Sequence, residues 1–184
     1  MTAKVFVRSD DLVRDSFTLA KKIFDSGFRP NVLLVLWRGG PPVGIVVHEF
    51  LLYKGIETYH TVVKAESYTG IETRREPRIE DLDRVLERVS ADDKVLVVDD
   101  IFDSGCTVRQ VRAAVMRKSA EVRVATLYMR RNANQTDFVP DYVQEETSQW
   151  IVFPHELMDL SLEEIRAKDA YVYELLVDGE PAAG

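Results

Sequence analysis

The chain has 184 residues, of which 46% are hydrophobic and 30% charged, and its formal net charge is −7. This length fits one globular domain, and the acidic balance argues against a nucleic-acid-binding surface, which is normally basic. The single cysteine, Cys106, excludes an internal disulfide. The first residues lack the apolar core of a signal peptide, and no apolar run approaches the roughly 20 residues of a transmembrane helix. We therefore expect one cytoplasmic domain over residues 1–184 that binds neither nucleic acid nor membrane.

The apolar pattern predicts strands and helices that alternate along the chain. Apolar residues at helical spacing predict helices over about residues 9–27, 41–55, 82–89, 108–115 and 161–168. Continuous apolar runs at residues 32–36 and 95–98 are typical of strands that are buried on both faces of a parallel sheet, and residues 122–128 predict another strand. A looser alternation over residues 57–63 predicts a further strand. The order predicts an α/β fold with a mostly parallel, twisted sheet flanked by helices.

Residues suited to binding a ligand follow three of these strands. Residues 37–40 follow the first, where Arg38 offers a planar cation for phosphate oxygens and two glycines let the backbone approach a ligand. Asp99 and Asp100 follow the second, and the arginine pair at 130–131 follows the third. Because the carboxyl ends of parallel strands meet at one edge of a sheet, we expect these groups to share one cleft.

A turn of small residues at 103–107 leads from the acid pair into the next helix. The free N–H groups and the dipole at a helix start favour a phosphate. Neither the Walker phosphate-loop pattern nor the Gly-x-Gly-x-x-Gly pattern occurs in the chain. The stretch therefore predicts a site that holds a phosphate beside a polyol or a metal-bound group. Asp103 could alternatively be only the N-cap of the following helix.

Three further segments leave alternatives open. The polar segment 64–78 is either a solvated surface loop or a mobile lid over the site. Trp150 is either part of the core or a flat face for an aromatic ligand. Residues 178–184 are rich in Pro, Gly and Ala, and we expect a frayed tail there.

Residues 95–107, with Asp-Asp-Ile-Phe-Asp-Ser-Gly-Cys-Thr at 99–107, closely resemble the loop of type I phosphoribosyltransferases that binds phosphoribosyl pyrophosphate (PRPP). Trp-Arg-Gly-Gly at 37–40 is similar to the pyrophosphate loop of members that act on 6-oxopurines. Ser-Tyr at 67–68 looks like the pair in their flexible catalytic loop, here residues 64–78. Segments 141–143, 150–151 and 154–156 resemble the purine-recognition region of bacterial xanthine–guanine members. The resemblance spans about residues 10–157.

This resemblance implies the type I phosphoribosyltransferase fold with a small hood over residues 141–160. The implied reaction is transfer of the 5-phosphoribosyl group from PRPP to N9 of hypoxanthine, guanine or xanthine, with Mg2+, in purine salvage. The products are a purine nucleoside monophosphate and pyrophosphate. A homodimer or homotetramer is also implied. Two alternatives stay open: a PRPP- or nucleotide-sensing regulator on the same fold, and a transferase for another nucleobase.

The resemblance also implies a role for particular residues. PRPP would be bound by Arg38, Gly39, Asp99, Asp100, Asp103, Ser104, Gly105, Cys106 and Thr107. Asp103 would be the catalytic acid/base near the purine, and Asp99 and Asp100 would hold Mg2+ through water. Arg130, Trp150 and Ile151 would contact the purine, and Ser67 and Tyr68 belong to the lid. Arg130 departs from the usual lysine and leaves the purine preference open, while Cys106 stands where glycine or lysine is common.

Overall fold

The computed structural model describes residues 4–66, 69–70, 73–74, 78–80 and 82–178. Within these ranges the helices are α1 (Ser9–Asp25), α2 (Gly40–Tyr53), α3 (Leu82–Leu86), α4 (Cys106–Val115), α5 (Leu162–Lys168) and α6 (Ala170–Val177). The strands are β1 (Lys4–Phe6), β2 (Val32–Trp37), β3 (Tyr59–Glu66), β4 (Thr69–Gly70), β5 (Thr73–Arg74), β6 (Arg78–Glu80), β7 (Lys94–Phe102), β8 (Glu121–Met129), β9 (Tyr142–Glu146) and β10 (Trp150–Val152).

A six-stranded sheet in the order β6-β3-β2-β7-β8-β9 forms the centre of the described fold. Strands β3, β2, β7, β8 and β9 are parallel, and β6 joins the edge antiparallel to β3. Leu33 and Val35 of β2 pack with α1 and α2 on one face, whereas Leu34 and Leu36 pack with α3 and α4 on the other. Because both faces are covered, the strand is apolar throughout. The predicted α/β class with a mostly parallel sheet is confirmed.

A separate two-stranded sheet lies beside the main sheet, and we call it the hood. The bounds expected for the hood, residues 141–160, are wrong in part, because β9 belongs to the six-stranded sheet. Strand β1 pairs parallel with β10, in the register Val5 to Ile151. Phe153, just after β10, packs edge-on against Tyr128 of β8 at a ring-centroid distance of 5.7 Å. The hood is therefore attached to the main sheet beside the end of β8.

Two expectations about the elements are wrong in detail. The acid pair lies inside β7 rather than after it, because the ladder to β8 continues through Asp99 opposite Thr126 to Phe102. Within the segment 64–78, the described residues are extended: β3 runs to Glu66, β4 pairs with β5, and β6 pairs back onto β3. An antiparallel edge needs only one apolar face, so a polar composition did not exclude strands.

Some predictions fall outside the described residues. Ser67 and Tyr68 of the expected lid do so, as does the tail from residue 179 to residue 184. Among the helices that are described, none combines the length and the apolar character needed to cross a bilayer.

Candidate active site

The ends of β2, β7 and β8 form one edge of the sheet, because these strands are parallel neighbours. The N–H of Arg130, which follows β8, donates to the carbonyl oxygen of Phe102 at the end of β7, at 2.9 Å. Three of the polar segments singled out in the sequence therefore lie side by side: residues 37–40, 99–107 and 130–131.

Gly39 brings the first of these segments directly against the acid pair. A Cβ atom on Gly39 would lie 2.0 Å from Oδ2 of Asp100 and 2.4 Å from its Oδ1. The Trp37–Arg38 peptide bond that precedes this contact is cis. Only a residue without a side chain allows the backbone this close to the carboxylate. The 37–40 turn and the Asp100 carboxylate therefore form one wall of the cleft.

The acid pair is strongly desolvated. Asp100 is 6% exposed, and its Oδ1 accepts a hydrogen bond from the N–H of Ile101 at 2.8 Å. Burial raises the pKa of Asp100 to about 6, and the nearby Glu156 carboxylate contributes to this rise. Burial, followed by repulsion from Asp100, raises the pKa of Asp99 well above its usual range. Two adjacent carboxylates of this kind are stabilised by a cation or by hydroxyl donors.

The 103–107 turn depends on Gly105. This residue has a φ of +76°, and a Cβ atom there would lie 2.4 Å from Cζ of Phe102. Gly105, which has no side chain, is the N-cap of α4, and the N–H of Cys106 donates to Oγ of Ser104 at 3.4 Å rather than to Asp103. The interpretation of Asp103 as a helix cap is therefore wrong. The first N–H groups of α4 begin at Cys106, whose half-buried thiol is free.

Asp103 instead pairs with Arg130, whose guanidinium also lies near the Trp150 ring. Nη1 of Arg130 donates to Oδ1 of Asp103 at 3.0 Å, and the arginine side chain is only 14% exposed. Cζ of Arg130 lies 5.2 Å from the centre of the Trp150 ring. The buried Nε of Arg130 has no hydrogen-bond partner among the described residues. The site thus groups the Asp103 carboxylate, the Arg130 guanidinium with its unused Nε donor, and the flat ring of Trp150.

Strand β10 of the hood places the neighbouring residues Trp150 and Ile151 in different surroundings. Trp150 is 48% exposed, so its interpretation as a core residue is wrong. Ile151 is buried in the core that α1 and α2 share, which leaves only its backbone available to a ligand. The predicted purine-binding residues therefore differ: Trp150 offers a side chain, and Ile151 does not.

His155 is a site residue to which the sequence assigned no role. Its Nε2 lies 4.0 Å from Oδ2 of Asp100, and its ring stacks on Phe153 with centroids 5.7 Å apart and an interplanar angle of 14°. Burial lowers the pKa of His155, and the positive charges of Lys168 and Arg38 lower it further. The only sequence signal was its place in the Pro-His-Glu segment of the resemblance.

The donor set of the cleft limits how a metal could be held. Across the part of the chain that the structure describes, no group of three or more His, Cys, Asp or Glu side chains could hold a metal ion. The protein would therefore supply the two adjacent carboxylates of Asp99 and Asp100, and a substrate and water would supply the remaining oxygens. Mg2+ is commonly bound in this way, through one or two carboxylates together with phosphates and several waters.

Comparison with known proteins defines the class. The family described as phosphoribosyl transferase domain matches residues 8–160, and the chain belongs to this family. The family match and the neighbouring structures support phosphoribosyl transfer as the general reaction and a transferase as the class of enzyme.

The solved structures that resemble the chain include several purine phosphoribosyltransferases. The purine phosphoribosyltransferase of Pyrococcus horikoshii is 27% identical, with a TM-score of 0.68 over 86% of this chain and 97% of that one. A hypothetical protein of Neisseria gonorrhoeae with bound ppGpp is 24% identical, with a TM-score of 0.71 over 93% and 98%. The hypoxanthine phosphoribosyltransferase of Trypanosoma cruzi is 18% identical, with a TM-score of 0.63 over 79% and 78%. The last two show the shared fold alone.

Proposed function

We propose that this protein transfers the 5-phosphoribosyl group from PRPP to N9 of a 6-oxopurine, namely hypoxanthine, guanine or xanthine, in purine salvage. The observation that carries the proposal is the grouping of Asp103, Arg130 and Trp150 in one space. A purine on the Trp150 face would meet a hydrogen-bond donor and a carboxylate at its edge. The similarity to the Pyrococcus horikoshii purine phosphoribosyltransferase supports a purine as the acceptor.

The choice of a 6-oxopurine rests on Arg130. Its side chain is buried and carries only donors, and its Nε has no partner among the described residues. An oxo group at C6 would accept from this guanidinium, whereas the amino group of adenine would place a donor against a donor. A buried donor left unpaired is costly, so this site favours the oxopurines over adenine.

PRPP would occupy the adjoining part of the cleft. Arg38 and the backbone of Gly39 would receive the pyrophosphate, because this turn lies against the acid pair. Asp99 and Asp100 would hold the ribose hydroxyls. The 5′-phosphate would lie at residues 104–107, where the start of α4 offers N–H groups and hydroxyls to an anion. It would replace Oγ of Ser104 as the acceptor for the N–H of Cys106.

Asp99 and Asp100 fit Mg2+, which would neutralise charge on the departing pyrophosphate and bind these carboxylates through water. Bond cleavage at the anomeric carbon builds positive charge on the ribose, so alignment and exclusion of water are the main requirements. The purine oxo group would compete with Asp103 for the Arg130 donor. The released Asp103 carboxylate would then accept and hold the proton that the purine ring loses.

The remaining parts of the proposal follow the resemblance. The segment 64–78, including Ser67 and Tyr68, would close over the reacting centre as a lid. Within the expected segment 141–160, the part that follows β9 would form the purine-recognition hood. The protein would act in the cytoplasm as a homodimer or homotetramer.

The test is an assay with PRPP, Mg2+ and, separately, hypoxanthine, guanine, xanthine and adenine, with the nucleotide product measured by chromatography. We expect nucleotide from at least one oxopurine and little from adenine. The Asp103→Asn variant should lower kcat about 100-fold, because an acid/base group typically contributes this much, while PRPP affinity measured by calorimetry changes little. The exposed Asp137 supplies a matched control, and Asp137→Asn should leave kcat unchanged.

Two outcomes would contradict the proposal. PRPP binding without turnover of any base would favour the sensing regulator on the same fold. Turnover of adenine in preference to the oxopurines would assign another nucleobase. An Asp103→Asn variant with unchanged kcat would refute the acid/base role of Asp103.

A further inference from the structure

The hood ends in a tight turn, residues 153–156, that lies beside the acid pair. The N–H of Glu156 donates to the carbonyl oxygen of Phe153 at 3.1 Å, and the N–H of Phe153 donates to Oε2 of Glu156 at 3.0 Å. His155, at the centre of this turn, is the residue that approaches Asp100 to 4.0 Å. The position of the turn therefore decides what stands next to the Asp100 carboxylate.

The first half of the turn is fixed by the main sheet. Phe153 is fully buried and packs on Tyr128 of β8. The second half is contacted from a different part of the chain: Nζ of Lys168 donates to the carbonyl oxygen of Glu156. Burial lowers the pKa of the Lys168 amine, which agrees with an amine that is turned toward the protein.

Lys168 is presented by a well-anchored helix that lies beyond the family match. Helix α5 starts after residue 160, where the match ends, and Lys168 is its last residue. Ser161 and Glu164 form a capping box at its start. Oε1 of Glu164 also pairs with Nζ of Lys4 in β1 at 2.7 Å, and Ile165 is buried. The helix is thus held by contacts that do not involve Lys168.

We propose that Lys168 is a positioning residue: its contact with Glu156 holds the 153–156 turn so that His155 stands beside Asp100 at the PRPP end of the cleft. This inference rests on the proposed function, since it assigns Asp100 to PRPP. Without the amine, the Glu156 carbonyl loses its partner and the His155 backbone gains freedom. The purine end is spared, because Asp103 and Arg130 follow β7 and β8, and Trp150 is held by the pairing of β10 with β1.

The test compares Lys168→Met, which keeps the length of the side chain, with Lys168→Arg, which keeps a donor. We expect Lys168→Met to raise the KM for PRPP by about three- to tenfold, the range for one ordinary hydrogen bond, because the contact acts on PRPP only through the turn. The kcat and the KM for the purine should stay within about twofold. Lys168→Arg should restore most of the PRPP affinity.

Lys22→Met is the matched control. Its amine also donates to main-chain carbonyl oxygens, those of Val143 at 3.1 Å and Gln144 at 3.4 Å in the edge strand β9, and it makes no contact with the 153–156 turn among the hydrogen bonds of the described residues. This variant should keep the wild-type KM for PRPP. A His155→Gln background supplies a second control, because Lys168→Met should add little there if it acts through His155.

The outcomes separate this inference from the proposed function. A wild-type protein that forms no nucleotide would overturn both. An active wild type with an unchanged KM for PRPP in Lys168→Met would overturn the role of Lys168 alone. Two other results would also overturn it, since both indicate a merely structural contact. One is an equal loss of kcat in Lys168→Met and Lys22→Met. The other is a full additional effect of Lys168→Met on the KM for PRPP in the His155→Gln background.

Discussion

Replacing Gly39 with alanine tests whether the 37–40 turn and the acid pair act as one binding site. The added Cβ would lie 2.0 Å from Oδ2 of Asp100 and 2.4 Å from Oδ1. Since non-bonded carbon and oxygen atoms settle at about 3.5 Å, the turn and the carboxylate would have to separate by roughly 1.5 Å.

Neither partner can move freely. The Asp100 carboxylate is buried and accepts the hydrogen bond from Ile101 at 2.8 Å, so rotation would break that bond. On the other side, Gly40 is confined, because a Cβ atom there would lie 2.9 Å from the carbonyl oxygen of Val98. A misplacement of about 1 Å in an active site can cost about 100-fold in rate. We therefore expect kcat/KM for PRPP to fall about 100-fold, which corresponds to about 2.7 kcal/mol of transition-state stabilisation.

The assay is steady-state kinetics with PRPP varied at saturating purine, together with thermal unfolding. Gly55→Ala is the control, because Gly55 has a φ of +78° and a Cβ atom added there would meet no other atom within 4 Å. It should lower the Tm through backbone strain and leave kcat/KM unchanged. A Gly39→Ala protein whose kcat/KM stays within about threefold of the wild type would refute the reasoning, since such a change is under about 1 kcal/mol.

Two further predictions concern the purine end and the acid pair. Arg130→Lys should change the order of preference among hypoxanthine, guanine and xanthine, because a compact ammonium replaces a forked guanidinium, and an unaltered order in the assay above would count against Arg130. Because the pKa of Asp100 is about 6 in the folded chain against 3.8 in the unfolded one, the native state binds more protons between these values. The unfolding free energy of the ligand-free protein should therefore be larger near pH 4 and decrease by up to about 3 kcal/mol as the pH rises past 6. Urea unfolding at pH 4.5 and 7.5 should show this decrease in the wild type relative to Asp100→Asn, and an equal pH dependence in both would contradict it.

Much of the fold follows from local patterns in the sequence. Apolar stretches predict the buried strands β2, β7 and β8, since a strand covered on both faces is apolar over most of its length. The acid pair and the small-residue turn are adjacent in the chain, so their chemistry is visible without a structure. The extended residues of the 64–78 segment were missed, because an edge strand needs no apolar run.

The contacts that make the site come from residues far apart in the chain. Gly39 meets Asp100, Arg130 meets Asp103 and Trp150, and Lys168 reaches the turn beside Asp100, because β2, β7 and β8 lie side by side and the hood folds back over their ends. No periodicity encodes such pairs, since they depend on strand order and on the paths of the connections. By itself the sequence determined the α/β class and the chemistry at the strand ends. The tertiary structure alone decided which of these groups face one another, because side chains meet only after the sheet has assembled.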